Sequence, residues 1–318
     1  MPKKKILVTG GAGFIGSHLV EKLVDSGRLV KVIDNLSTGK LSNLNPKFLS
    51  DGSVDFVEGD IRDPLLVKNC VQDVSAVLHL AAQTSVPLSM QNPDFNNDVN
   101  INGTQNLLNQ SVQVNVAKFL FISSCAVYGD PVYLPVDEKT PTNPISPYAN
   151  SKLQSEQACL SLNNKNLIKS VVLRFFNVYG PRQGLNDYSG VITKFIDRIK
   201  QKKPLTIYGD GSQTRDFVYV QDIVSAIMLA LENDNVNGEI FNIGFGKKTT
   251  IQELAQTILS STGADLKILN LPIRQGDILH SYANISKAKK HLGYTPRFTL
   301  KEGLEALLIE NSLLKQKA

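Results

Sequence analysis

Residues 5–16 read KILVTGGAGFIG: a short apolar strand, Ile6, Leu7 and Val8, runs into a cluster of glycines and leaves it at Phe14 as a helix expected to reach about Gly27. Glycine permits the tight turn at Gly10, the approach of backbone to a diphosphate at Gly13, and close packing of helix on strand at Gly16. The helix N-terminus then faces the phosphates. A second apolar strand follows at 30–33, and Asp34 at its end stands where a carboxylate bonds an adenosine ribose 2′-hydroxyl. The same charge repels a 2′-phosphate, so NAD is expected rather than NADP. Lys31 and Lys40 lie nearby, but neither replaces the acid.

The rest of the first half keeps this rhythm. Strands are expected near 6–9, 30–33, 54–57, 76–79 and 117–122, alternating with helices near 14–27, 64–72 and 94–114, and a strand at 171–175 extends the set. Such alternation predicts an α/β fold, a Rossmann-type doubly wound parallel sheet covered on both faces. After Gly180 the pattern changes to short strands at 205–207 and 240–243, Gly/Pro punctuation, and helices near 191–201, 221–232, 250–261 and 300–313. This reads as a smaller, partly interleaved C-terminal lobe. The expected division is 1–178 for the cofactor, with the catalytic residues, and 179–318 mainly for the substrate. Ligands of doubly wound sheets bind beyond the carboxyl ends of the strands, and Asp34, Asp60, the Ala81-Ala82 turn, Ser123-Ser124 and Asn177 all follow strands.

Composition narrows the class further. At 318 residues and 42% hydrophobic, the chain can bury a core in one large or two modest domains. Its formal charge of +5 comes from 34 basic and 29 acidic residues spread along the sequence, with a single run at Lys3 to Lys5 that reads as a solvated terminus and not a nucleic-acid arm. Cys70, Cys125 and Cys159 form neither a disulfide framework nor a zinc spacing. His18 and His79 read as structural, and His280 and His291 lack ligand-spaced partners, so no metal is expected. Without a signal-peptide pattern or a membrane-length apolar stretch, the chain is expected to be soluble and cytoplasmic, with no membrane partner.

Tyr148 and Lys152 supply the chemistry. Four apart on a helix they share one face, so the Lys152 ammonium can lie beneath the Tyr148 phenol. A phenol titrating near 10 is a poor base at neutral pH, but an adjacent ammonium and a cationic nicotinamide both favour the phenolate.

Taken with Thr9-Gly10-Gly11-Ala12-Gly13-Phe14-Ile15-Gly16, Asp60, His79-Leu80-Ala81-Ala82, Asn100-x-x-Gly103-Thr104, Ser123 to Gly129 and Ser146-Pro147-Tyr148-x-x-x-Lys152, the chain resembles the extended short-chain dehydrogenase/reductase family. Arg174 to Pro181, Arg215-Asp216-Phe217-Val218 and Arg274-x-Gly276-Asp277 carry the resemblance across nearly the whole sequence, and it is nearest to UDP-hexose 4-epimerases. The resemblance implies that Tyr148 takes the proton of the sugar 4-hydroxyl while hydride passes to NAD, that Lys152 also holds the nicotinamide ribose, and that Ser124 bonds the same sugar oxygen. NAD would be lined by Gly10, Gly13, Phe14, Ile15, Gly16, Asp34, Asn35, Asp60, Ile61, Leu80, Ala81, Ala82, Asn100, Ser123 and Phe176, together with Tyr148 and Lys152. The nucleotide sugar would meet Asn177, Val191, Arg215, Arg274 and Asp277, with Tyr208 beside the uracil, and the family often pairs as homodimers through helices near 94–114 and 149–163.

Two positions bear on which reaction follows. Family 4,6-dehydratases carry an Asp-Glu pair where this sequence has Cys125 and Ala126, which counts against water loss; Cys125 reads as a small packing residue. Ser281, seven residues beyond Arg274, stands where a bulky Tyr in some 4-epimerases limits the space beside the sugar 2-substituent, so N-acetylated UDP-sugars are expected substrates alongside the plain ones. The open alternatives are another nucleotide-sugar modification (dehydration, decarboxylation or epimerisation at C3 or C5) and a non-catalytic NAD-binding sensor.

Overall fold

The computed structural model describes residues 4–185, 190–273 and 278–314. Strands β1 (Lys5–Thr9), β2 (Val30–Asp34), β3 (Val54–Glu58), β4 (Val74–His79), β5 (Lys118–Ser124) and β6 (Lys169–Phe175) lie near their expected positions. Helices α1 (Phe14–Asp25), α2 (Pro46–Ser50), α3 (Pro64–Cys70), α4 (Val86–Gln91), α5 (Pro93–Asn97), α6 (Gly103–Gln113) and α7 (Pro147–Asn164) punctuate them. The second half carries β7 (Asn177–Tyr179), α8 (Val191–Lys200), β8 (Leu205–Tyr208), β9 (Thr214–Arg215), β10 (Phe217–Tyr219), α9 (Val220–Glu232), β11 (Ile240–Ile243), β12 (Thr249–Thr250), α10 (Ile251–Thr262), β13 (Ile268–Leu271), α11 (Ser286–Leu292) and α12 (Leu300–Glu310).

Seven parallel strands form the main sheet in the order β11-β6-β5-β4-β1-β2-β3. Side chains alternate between its faces. Thus Ile6 and Val8 enter one core with Leu19, Leu23 and Ile227, while Leu7 enters the other with Val77, Leu107 and Phe119. Each such fully buried aliphatic side chain contributes about 1.5–3 kcal/mol, and burial on both faces is what makes these strands near-continuous apolar runs.

Two expectations change. The strand at 240–243 belongs to the main sheet, pairing Ile240 with Val172 and Ile243 with Phe175. A short apolar run announces a strand but not its neighbour, and here α9 carries the chain back from the smaller lobe to the sheet edge. The helix expected over 94–114 is interrupted at Asp98–Asn102, where the backbone widens into a π-helical turn. The smaller lobe packs Ile192, Phe195, Ile207, Leu254 and Leu304 into a third core and pairs β8 with β13 and β9 with β12.

Candidate active site

Gly10 adopts φ +70°, and a Cβ there would lie 2.9 Å from the Ala81 nitrogen, so strand β1 can turn beneath the 80–82 segment only as glycine. A Cβ at Gly13 would meet just the Gly10 carbonyl, at 3.1 Å, leaving its outer side open. Gly13 caps α1 without a side chain, and the helix has no acidic residue in its first turn. This is an open, electropositive helix start that suits a dinucleotide diphosphate, flanked by the half-buried Phe14 and Ile15.

The acid at the end of β2 braces that turn. Asp34 accepts from the Ala12 and Leu36 nitrogens, both at 2.9 Å, and burial raises its carboxyl above the usual range while those backbone N–H groups oppose the rise. At the end of β3, Asp60 is gripped by Arg62 through Nε and Nη2, each 2.9 Å, and by Asn35 Nδ2 at 3.0 Å. Its carboxyl falls to about 2, chiefly through the Arg62 hydrogen bonds. Ile61 is buried next to it.

Beyond β4, His79 is locked between the Thr9 and Thr104 hydroxyls, each at 2.8 Å, and burial holds it neutral with a pKa of about 3. Thr9 Oγ1 also accepts from the Ala81 nitrogen, which fixes the half-buried turn Leu80, Ala81 and Ala82. Asn100, inside the π-helical turn, accepts from the Gln83 nitrogen and donates to the Gln83 carbonyl, Asn96 and Ser151. Its side chain thus holds the segment after the Ala81-Ala82 turn against α7.

Helix α7 starts where Ser146 caps the Ala149 nitrogen and Pro147 fills the first turn. Tyr148 follows in that first turn. Burial pushes its phenol up to about 12, and the Ser124 hydroxyl at the end of β5 pulls it down. Lys152 turns toward β5: Nζ donates to the Ile122 carbonyl at 2.9 Å and lies 4.9 Å over the Phe121 ring. Burial lowers its ammonium to about 8 and Glu156 opposes this.

The sugar end assembles from distant loops. Burial pushes the Cys125 thiol up to about 11, opposed by the Arg215 charge and by the Ser281 and Ser124 hydroxyls, so these side chains lie around Cys125. Arg215 donates to the Thr214 and Leu279 carbonyls. Phe176 is buried after β6, and Asn177 Oδ1 is a buried acceptor with no partner among the described residues. Val191 opens α8 and Tyr208 ends β8, both half-buried. Arg274 and Asp277 lie outside the described residues.

Several residues with no individual role assigned from sequence organise this geometry. Asp216 accepts from the Phe245, Gly246 and Ala283 nitrogens at 2.7, 2.9 and 3.0 Å, tying Arg215 to the segment that carries Ser281; burial raises it to about 6. Glu156 and Arg174 form a fully buried pair at 2.6 Å, and Ser123 donates its hydroxyl to the same carboxylate. Glu156 falls four residues after Lys152, a spacing that was readable. Glu138 accepts from the Asn242 nitrogen at 2.7 Å.

Residues 6–244 match the NAD dependent epimerase/dehydratase family. A putative UDP-glucose 4-epimerase of Methanocaldococcus jannaschii is 43% identical over 95% of this chain and 97% of its own. A UDP-glucose 4-epimerase from Thermotoga maritima, solved with UDP-glucose, superposes with a TM-score of 0.91 at 39% identity, covering 96% of this chain and 98% of that one. A UDP-N-acetylglucosamine 4-epimerase from Methanobrevibacter ruminantium, in complex with UDP-N-acetylmuramic acid, gives 0.91 at 38%, covering 97% and 98%.

Proposed function

Because the chain belongs to the NAD dependent epimerase/dehydratase family, we propose that it is an NAD-dependent UDP-sugar 4-epimerase, interconverting UDP-glucose with UDP-galactose and UDP-GlcNAc with UDP-GalNAc. The observation that carries this reading is that Ser124 acts on the Tyr148 phenol, while Ser124 and Ser281 both act on Cys125. Those residues can hold and deprotonate a sugar hydroxyl, and they leave a small side chain facing the neighbouring substituent.

NAD, when bound, supplies the hydride acceptor and donor. Tyr148, as phenolate, would take the 4-hydroxyl proton and Ser124 would hold that oxygen, while Lys152, one helical turn on, holds its ammonium on the Ile122 carbonyl. Once the 4-keto sugar had presented its other face, Tyr148 would return the proton to the 4-oxygen, while Gly10, Gly13 and Asp34 would hold the NAD that supplies the hydride back to C4. Residues 1–178 hold NAD and 179–318 mainly the nucleotide sugar. Asn177, with its free buried acceptor, and Arg215 serve the nucleotide diphosphate.

Nucleotide-sugar decarboxylases and dehydratases also occur among the relatives. Against dehydration stands the pair Cys125 and Ala126, at the positions where family 4,6-dehydratases carry an Asp-Glu pair.

The chain acts in the cytoplasm as a homodimer. No described helix is long and apolar enough to cross a membrane. Helices α4 and α5, packed on α7, leave Val86, Met90 and Phe95 exposed, which suits a paired face.

The test is to incubate purified protein with UDP-glucose, UDP-GlcNAc and UDP-glucuronate, without added NAD, and follow products by NMR. Matching C4 epimers of the first two sugars support the reading. A keto-sugar, a decarboxylated product or no product, even with NAD supplied, contradicts it.

A further inference from the structure

We propose that Glu156 is a positioning residue that keeps Lys152 an ammonium ion and ties the catalytic helix to the strand end bearing Ser124. The inference rests on the 4-epimerase reading.

Glu156 is wholly buried and holds three elements at once. From α7 its carboxylate accepts the Ser123 hydroxyl on β5 and the Arg174 guanidinium on β6, with Nε at 2.9 and 3.2 Å and Nη2 at 2.6 Å. Ser123 directly precedes Ser124, and Lys152 lies one helical turn before Glu156 on the same buried face. A carboxylate placed this way fixes the height of α7 over the sheet, and so the approach of Tyr148 to Ser124.

It also sets charge. Lys152 is buried, with one carbonyl and one aromatic ring as its neighbours at the ammonium. Of the titratable groups around it, His79 on β4 is neutral, and Tyr148 and Cys159 on α7 are pushed upward by burial and so stay protonated. Glu156 is the carboxylate that acts on Lys152. Around Glu156 itself stand Arg174 from β6, Ser123 from β5, Cys159 on α7, and Tyr128, over whose ring Arg174 lies at 4.8 Å. The Arg174 guanidinium pairs with Glu156 in the core, and the Glu156 carboxylate in turn favours the proton on Lys152.

The test is a titration of lysine side chains by ¹⁵Nζ NMR in cofactor-free protein, with Lys152 assigned through Lys152→Met. The expected midpoint for Lys152 falls by about one pH unit or more in Glu156→Gln. It falls less in Glu156→Asp, which keeps the charge at shorter reach. The alkaline limb of kcat for UDP-glucose moves down in the same order. An unchanged midpoint in folded Glu156→Gln overturns the proposal, even if kcat drops, because a purely structural brace would not move the titration. Should Glu156→Gln fail to fold, a smaller fall in Glu156→Asp supports the proposal and no fall overturns it. If the midpoint falls in Glu156→Gln while the wild-type protein converts no UDP-sugar, the functional reading is at fault and the proposal stands.

Discussion

The Ser124 hydroxyl at the end of β5 acts on the Tyr148 phenol of α7, pulling down a pKa that burial raises. One oxygen can carry a proton and the other can orient the group that gives it up, so the pair defines where a sugar hydroxyl reacts.

Replacing Tyr148 by Phe keeps the ring and removes the proton carrier. Turnover is expected to fall by about 10²–10⁴-fold or more, with NAD retained. NAD released on denaturing the variant measures retention, and wild-type turnover in Tyr148→Phe contradicts the assignment.

Activity needs Lys152 as ammonium, which burial lowers to about 8 from 10.5. The rate should therefore fall as pH rises through about 8. Between pH 8 and 10.5 the folded chain binds fewer protons at this site than the unfolded chain, so the same group makes stability rise with pH. Rate and urea-unfolding curves across that window should move in opposite directions once other titrating groups are subtracted with Lys152→Met.

Asp60, lowered from 3.8 to about 2 by Arg62, behaves in the other sense. Its contribution is present above pH 4 and is lost as pH falls through 2. With part of the pair open to water, about 1–2 kcal/mol is expected. Unfolding at pH 5 and pH 2.5 should show that much less acid sensitivity in Asp60→Asn.

A bulky side chain at 281 should close the space beside the sugar 2-substituent. Ser281→Tyr is expected to shift the ratio of kcat/KM for plain over N-acetylated UDP-sugars upward by about 10–200-fold. An unchanged ratio means Ser281 does not face that substituent.

The cofactor half was legible because glycine chemistry is local: the turn at Gly10, the open helix start at Gly13 and the acid at Asp34 are all set by near neighbours in sequence. The residues that bind the parts together were not. Helix α7 buries Lys152, Ser155 and Glu156 against the sheet, so its inward face shows no apolar stripe to point toward the core. Arg174 stood in a recognisable motif, but its partner Glu156 comes from another element. The edge position of Ile240–Ile243 and the carboxylate links of Asp216 depend likewise on contacts between distant segments. The π-helical turn at Asp98–Asn102 follows an ordinary helical pattern in sequence and is stabilised by the side-chain bonds of Asn100.

The central claim is that one hydride leaves C4 and returns to it. UDP-glucose carrying deuterium at C4, incubated with the protein in ordinary water, should give UDP-galactose that keeps the label at C4, and the converse experiment in deuterium oxide should leave C3 and C5 unlabelled. Loss of the C4 label, or solvent deuterium at C3 or C5, would contradict the account.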